Sequence, residues 1–151
     1  DLVAAHDVVF NTGHVSGPEA VRLAEEARKR GVTRVLVPAS HYDGQTVAAL
    51  TAVDAMVEFS FFFVSHATQA GLTHVDAERH TVTPVTGGEM AALIAAAPSD
   101  QVVLSSDCGV ALLPPPVEGL RAFLLLLEAC GVSRKALARM VQTNPKQLFG
   151  L

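Results

Sequence analysis

The feature that most constrains this chain is a recurrence. Three short apolar runs, residues 7–14, 34–41 and 101–107, read as strands, and they end at loops on His14, His41 and Asp107. Helical segments stand between the runs, and strand, helix, strand is the unit of a parallel sheet. In a parallel α/β fold the carboxyl ends of the strands open on one face, so groups far apart in sequence converge there. Two imidazoles and one carboxylate meeting on that face outline a metal site.

The segments between support this order. Ser16-Gly17-Pro18-Glu19 is a capping box with an early proline, and it opens an amphipathic helix through Ala20, Leu23, Ala24 and Ala27 that stops at Lys29-Arg30-Gly31. A second strand is expected over 33–38, a short helix near 45–52 after Asp43-Gly44, and a third strand over 55–59. From Phe61 to Pro84 the pattern breaks: His66, Gly71, His74 and His80 interrupt it, and 81–83 reads at best as a short edge strand. Residues 61–84 are therefore expected to form an inserted loop over the strand ends. Thr86-Gly87-Gly88-Glu89 is a second capping box, opening a helix that ends by Pro98, and the fourth strand follows over 101–106. Pro114-Pro115-Pro116 leads into a strongly apolar helix to Cys130, and Ser133 caps a short helix through Leu137 and Met140. Asn144-Pro145 is expected to turn the chain into its last residues.

The 151 residues suffice for one domain, which at that size buries roughly 68–70% of its unfolded surface. Half the residues are hydrophobic and 17% are charged, with a mean hydropathy of +0.35. That balance suits buried parallel strands, or a chain that hides further surface against a partner. A net charge of −4 with 11 scattered Lys and Arg gives no basic stripe, so nucleic acid is not an expected partner. The apolar run 124–127 is far short of the roughly 20 residues that span a bilayer, and no signal-peptide layout opens the sequence. Cys108 and Cys130 do not resemble a disulfide framework, so the reading is cytoplasmic, without membrane. Residues 2–6 read as the tail of a helix entering a strand, as in the carboxyl-terminal piece of a longer protein.

Four βα units are half of an eight-stranded barrel, and half a barrel has two raw edges. A missing amino-terminal half, a second copy or a partner chain is expected to close them; a four-stranded open sheet is the alternative. On Thr12-Gly13-His14, His41, Ser105-Ser106-Asp107 and the closing residues 144–151, the chain resembles the second half of the amidohydrolase superfamily of metal-dependent hydrolases. Residues 104–109 and 114–123 are similar, more narrowly, to an uncharacterised group of amidohydrolase-like barrels within it. The resemblance covers nearly all of residues 1–151. It implies an α/β fold of the (β/α)8 TIM-barrel type, with strands five to eight present as about four βα units. It maps metal-binding histidines onto His14 and His41 and the strand-eight aspartate onto Asp107. The family's first-strand His-x-His pair has no counterpart in this sequence, and an upstream segment is where it would lie.

The implied chemistry suits these residue types. Neutral imidazole and carboxylate hold a divalent metal, zinc foremost, with manganese, nickel and iron open. Asp107 would be ligand, general base or both, and His41 either ligand or polariser of a substrate carbonyl. Glu58 lies inside the third strand, either supporting the site from behind or facing solvent. Ser106, His66 and His80 are candidates for the surroundings of the site or for substrate contact; for His66, His74 and His80, whose spacings are not those of a helical face, substrate contact or plain solvation is preferred to a metal role. Cys108 is a thiolate ligand or, more plainly, a half-buried thiol. Two function classes follow. One is a metal-dependent hydrolase of a C–N or ester bond in a small molecule, with a decarboxylase-type lyase as its variant on the same fold. The other is a non-catalytic half-barrel that binds a partner or ligand.

Overall fold

Val35, Leu36 and Val37 are apolar in succession, and so are Val102, Val103 and Leu104; all six are buried. Unbroken apolar runs belong to strands covered on both faces, the condition of a parallel sheet. The computed structural model, which describes residues 2–67 and 84–151, has that sheet. Strands β1 (Phe10–Asn11), β2 (Val35–Pro38), β3 (Met56–Ser60) and β4 (Val102–Ser105) lie side by side in chain order, every pair parallel. The register sets Leu36 beside Met56, Glu58 beside both Pro38 and Val103, and Ser60 beside Ser105.

Seven helices are described: α1 (Leu2–Ala5), α2 (Gly17–Lys29), α3 (Gly44–Ala52), α4 (Gly87–Ala95), α5 (Pro116–Ala129), α6 (Arg134–Ala138) and α7 (Asn144–Phe149). Strand alternation divides the core in two. Val35, Val37, Val57, Phe59, Val102 and Leu104 pack with Ala20, Ala24, Val47, Leu50, Met90, Ile94, Phe123 and Leu127 of the helices. On the opposite face Leu36 and Val103 form a small cluster with Leu148 of α7, joined by Val9 and Met56.

The helix starts behave as capping chemistry requires. Glu89 N–H donates to Thr86 Oγ1 at 3.2 Å while the Glu89 carboxylate accepts from Thr86 N at 2.8 Å. The Glu19 carboxylate accepts from Ser16 N at 3.0 Å, and Asp43 Oδ1 from Thr46 N at 2.8 Å. At the amino ends of the strands Arg28 gathers the loops, donating to the carbonyls of Val32 at 3.0 Å, Thr33 at 2.6 Å and Val53 at 3.1 Å, and to that of Asp54.

Two expectations are corrected in detail, and a third is described only in part. The first strand, expected over 7–14, pairs only at Phe10 and Asn11. Asp7 turns the chain with φ 47 while its carboxylate holds Thr33 and Arg34, and Gly13 turns it away with φ 67, so little length remains to pair. The expected loop over 61–84 begins with an ordered 3₁₀ turn, Phe61–Val64, because Phe62 and Phe63 bury their rings; 68–83, with His74 and His80, lie outside the described residues. Asn144-Pro145 does not turn the chain. A π-helical turn, Arg139–Thr143, leads from α6 straight into α7, whose start tolerates Pro145 because the missing N–H falls in the first turn.

Candidate functional site

The carboxyl end of β1 runs through Thr12 to Gly13, whose N–H donates to Asn11 Oδ1 at 2.8 Å. Gly13, in the left-handed region, lets the chain fold back there and present His14 to solvent. The carboxyl end of β2 runs through Ala39 and the buried Ser40 to His41. β1 and β2 are neighbours, and their two imidazoles meet: the ring centroids of His14 and His41 are 6.0 Å apart, inclined at 50°.

That separation can be set against what one ion requires. With Zn–N about 2.1 Å and each ring centre about 1.2 Å behind its nitrogen, two imidazoles on one ion have centroids about 5.4 Å apart at the tetrahedral angle and at most about 6.6 Å. The observed spacing falls between these limits. By ring spacing alone, His14 and His41 are within the range of two ligands of one divalent cation.

His41 is accessible at its rim but crowded on its faces, with the Tyr42 ring centroid at 4.3 Å and the Phe63 ring stacked at 5.9 Å, 19° from parallel. Desolvation by these neighbours holds its pKa below the ordinary 6.5; the Val15 carbonyl opposes that shift, and the nearby His14 adds to it. A depressed imidazole keeps its lone pair free for a metal near neutrality. It also means that the folded state resists protonation. The sign follows: above 6.5 His41 contributes no penalty, and as pH falls from 6.5 toward its lower folded value the protein loses stability. An NMR titration is expected to place the His41 midpoint below 6.5, and His41→Ala to remove that part of the acid-side decline in denaturant stability.

Two residues that sequence reasoning passed over set this geometry. Tyr42 donates its hydroxyl to the Val15 carbonyl at 2.7 Å, tying the loop after β2 to the loop that carries His14. Burial pushes the phenol pKa up, so it remains a donor. Ser40 Oγ accepts from Ser60 N at 2.9 Å, joining the ends of β2 and β3. The signal was present in the adjacency of the chain's one tyrosine to His41.

Asp107 follows the end of β4 by two residues, is exposed, and takes φ 47. It shares the strand-end face with the histidines, but β4 is two strands from β2, about 9–10 Å along a flat sheet. Among the described residues no group of three or more His, Cys, Asp or Glu stands close enough to hold a metal ion. The structure therefore brings His14 and His41 together and leaves Asp107 on the same face beyond them. Glu58 is half-buried in β3, on the sheet face that carries Leu36 and Val103 by alternation. Ser106 is half-buried and its carbonyl accepts from Cys108 Sγ at 3.4 Å. The Ser105 hydroxyl is buried with no hydrogen-bond partner among the described residues, and His66 is exposed beyond the 3₁₀ turn. Burial pushes the Cys108 thiol up, which favours a protonated thiol over a thiolate. Cys130, exposed at the end of α5, lies in a groove of about 420 Å³ among Gly88, Ala91, Ala95, Val132 and Met140, which His14, His41 and Asp107 do not line.

A family model described as a family of unknown function (DUF6282) matches residues 1–63, which include His14, His41 and Glu58 but not Asp107. No curated protein and no solved structure matches the chain. No described helix is long and apolar enough to cross a membrane.

Proposed function

We propose that this chain is the later-strand half of an amidohydrolase-like (β/α)8 barrel, and that its strand-end face serves metal-dependent hydrolysis of a C–N or ester bond in a small molecule. The observation that carries this is the His14–His41 pair, two imidazoles from adjacent parallel strand ends at a spacing that one ion accommodates. A divalent ion, zinc before manganese, nickel or iron, would supply carbonyl polarisation and lower the pKa of a water molecule to near neutrality. The residues of this chain would do the rest. His14 and His41 would hold the ion, with Tyr42 and Phe63 fixing the His41 ring and keeping it neutral. Asp107 takes the proton of the attacking water and returns it to the leaving nitrogen or oxygen. A decarboxylase-type lyase would draw on the same residues.

A second reading is a half-barrel that binds a partner or ligand without catalysis. What favours it is the open sheet: among the described residues β1 and β4 each pair on one side only, and the face carrying Leu36, Met56 and Val103 is packed by Leu148. An unpaired parallel edge is a template for another chain. Further barrel strands, from an amino-terminal half, a second copy or a partner chain, would cover it.

The test is to load the protein with zinc or manganese and assay a panel of amide, lactone and ester substrates. Metal-dependent turnover is expected, with Asp107→Asn lowering kcat by roughly 100-fold or more, as loss of a general base does. A protein that takes up no metal and gains no activity from added divalent ions contradicts the hydrolase reading.

A further inference from the structure

We propose that Cys108 and Gly119 are positioning residues for Asp107, a thiol seated against bare helix backbone that holds the turn carrying the carboxylate. The inference rests on Asp107 working at the strand-end site and adds how the fold aims it.

Asp107 is in the left-handed region, φ 47. Aspartate enters that region more readily than most side chains, but at a cost, and such a conformation persists where the surroundings determine it. Two contacts of the next residue do so. The Cys108 thiol donates back to the Ser106 carbonyl at 3.4 Å, closing the turn across Asp107. The same sulfur lies over Gly119 of α5: a methyl group at that position would overlap Cys108 Sγ outright, and would stand 3.3 Å from Phe61 Cδ1 and 3.6 Å from Cys108 Cβ.

Gly119 is buried inside α5, where glycine is a poor helix former. Neither a turn nor a positive φ calls for glycine there, since the residue is helical. What calls for it is the close approach of the sulfur. Phe61 packs on the same helix, its ring 6.4 Å from that of Phe123, so a larger residue at 119 would press on that ring as well as on the sulfur. β4 ends at Ser105, and only Ser106 separates it from Asp107. On its amino-terminal side a displacement of the Cys108 sulfur is passed to β4 through a short tether, and that tether carries the carboxylate.

The test compares Gly119→Ala, Cys108→Ala and the double variant by two readouts, backbone amide resonances of residues 106–109 and kcat of the zinc-loaded protein, with zinc affinity as the control. Gly119→Ala is expected to shift those amides and to lower kcat by about 10-fold, the scale of losing a supporting contact, with zinc affinity little changed. The double variant is expected to return to the level of Cys108→Ala, because the remaining Cβ to Cβ approach of 3.6 Å is ordinary contact. Cys108→Ser, which keeps a donor to the Ser106 carbonyl, should turn over faster than Cys108→Ala. Should Gly119→Ala fail to fold, recovery of folding in the double variant supports the pairing, and failure there overturns it. A folded Gly119→Ala with unmoved 106–109 amides, or a double variant no better than the single, also overturns it. If the unaltered protein shows no metal-dependent turnover, the hydrolase reading falls while the amide shifts still judge the positioning.

Discussion

Exchanging His14 and His41 together for alanine is expected to lower zinc affinity by at least about 100-fold, more than the 10–100-fold that follows loss of an outer supporting group. The two rings come from loops after neighbouring parallel strands and are held 6.0 Å apart by the Tyr42 hydroxyl on the Val15 carbonyl and by Phe63 stacked on His41. Both histidines are exposed and stand outside the packed core, so removing them should leave circular dichroism and the denaturation midpoint near neutral pH almost unchanged. Tyr42→Phe is a milder version: it removes the tie to Val15 and should weaken binding without abolishing it. Zinc affinity measured by calorimetry above pH 6.5, where His41 is neutral, reads the effect without proton competition.

Asn144→Ala is expected to cost about 2–4 kcal/mol of stability. Asn144 is fully buried, and its Nδ2 donates to two carbonyls, Ser99 at 2.8 Å and Val102 at 2.6 Å. It thereby fastens the start of α7, just after the π-helical turn, to the loop before β4 and to β4 itself. Alanine leaves the buried Val102 carbonyl and the part-buried Ser99 carbonyl without this donor, and the desolvation of the first is the larger part of the loss. A chain of this size should then melt lower by roughly 5–15 °C. Asn144→Asp should be worse, since it sets a carboxylate against two carbonyl oxygens. Urea unfolding of the two variants checks the order; an alanine variant within about 0.5 kcal/mol of the parent, the scale of an ordinary surface substitution, would remove this clamp from the account.

How much of this was legible in the sequence varies with the range of the forces involved. Local signals read well. The capping residues Ser16, Asp43, Thr86 and Ser133 each stand where their helix begins, because a short polar side chain at that position satisfies backbone donors a few residues away. The apolar runs at 35–37 and 102–104 announced buried parallel strands for the same local reason. Signals that depend on partners distant in sequence did not read. The shortness of β1 follows from Asp7 meeting Thr33 and Arg34, which no local pattern around residue 7 contains. The dipeptide Asn144-Pro145 looks like a turn by composition, and only carbonyls some 45 positions earlier make its amide a helix-anchoring clamp.

The candidate site divides the same way. His14 and His41 were found from their places after apolar runs, and the structure brings their rings together. Asp107 was found by the same rule and lies on the same face, but β3 intervenes between β2 and β4, so the distance from Asp107 to the histidines depends on how strongly the sheet curves. Tyr42, Ser40 and Gly119 went unnoticed because each acts through a contact across strands or helices, and a glycine within a helical pattern carries no mark of the sulfur above it.

The most direct test is a zinc titration followed through the ring resonances of the six histidines by NMR. The account predicts that His14 and His41 shift together and saturate at one equivalent, while exposed His6 and His66 respond only to excess metal. Saturation at other histidines with His14 and His41 unmoved, or no response of any ring at one equivalent, would contradict it.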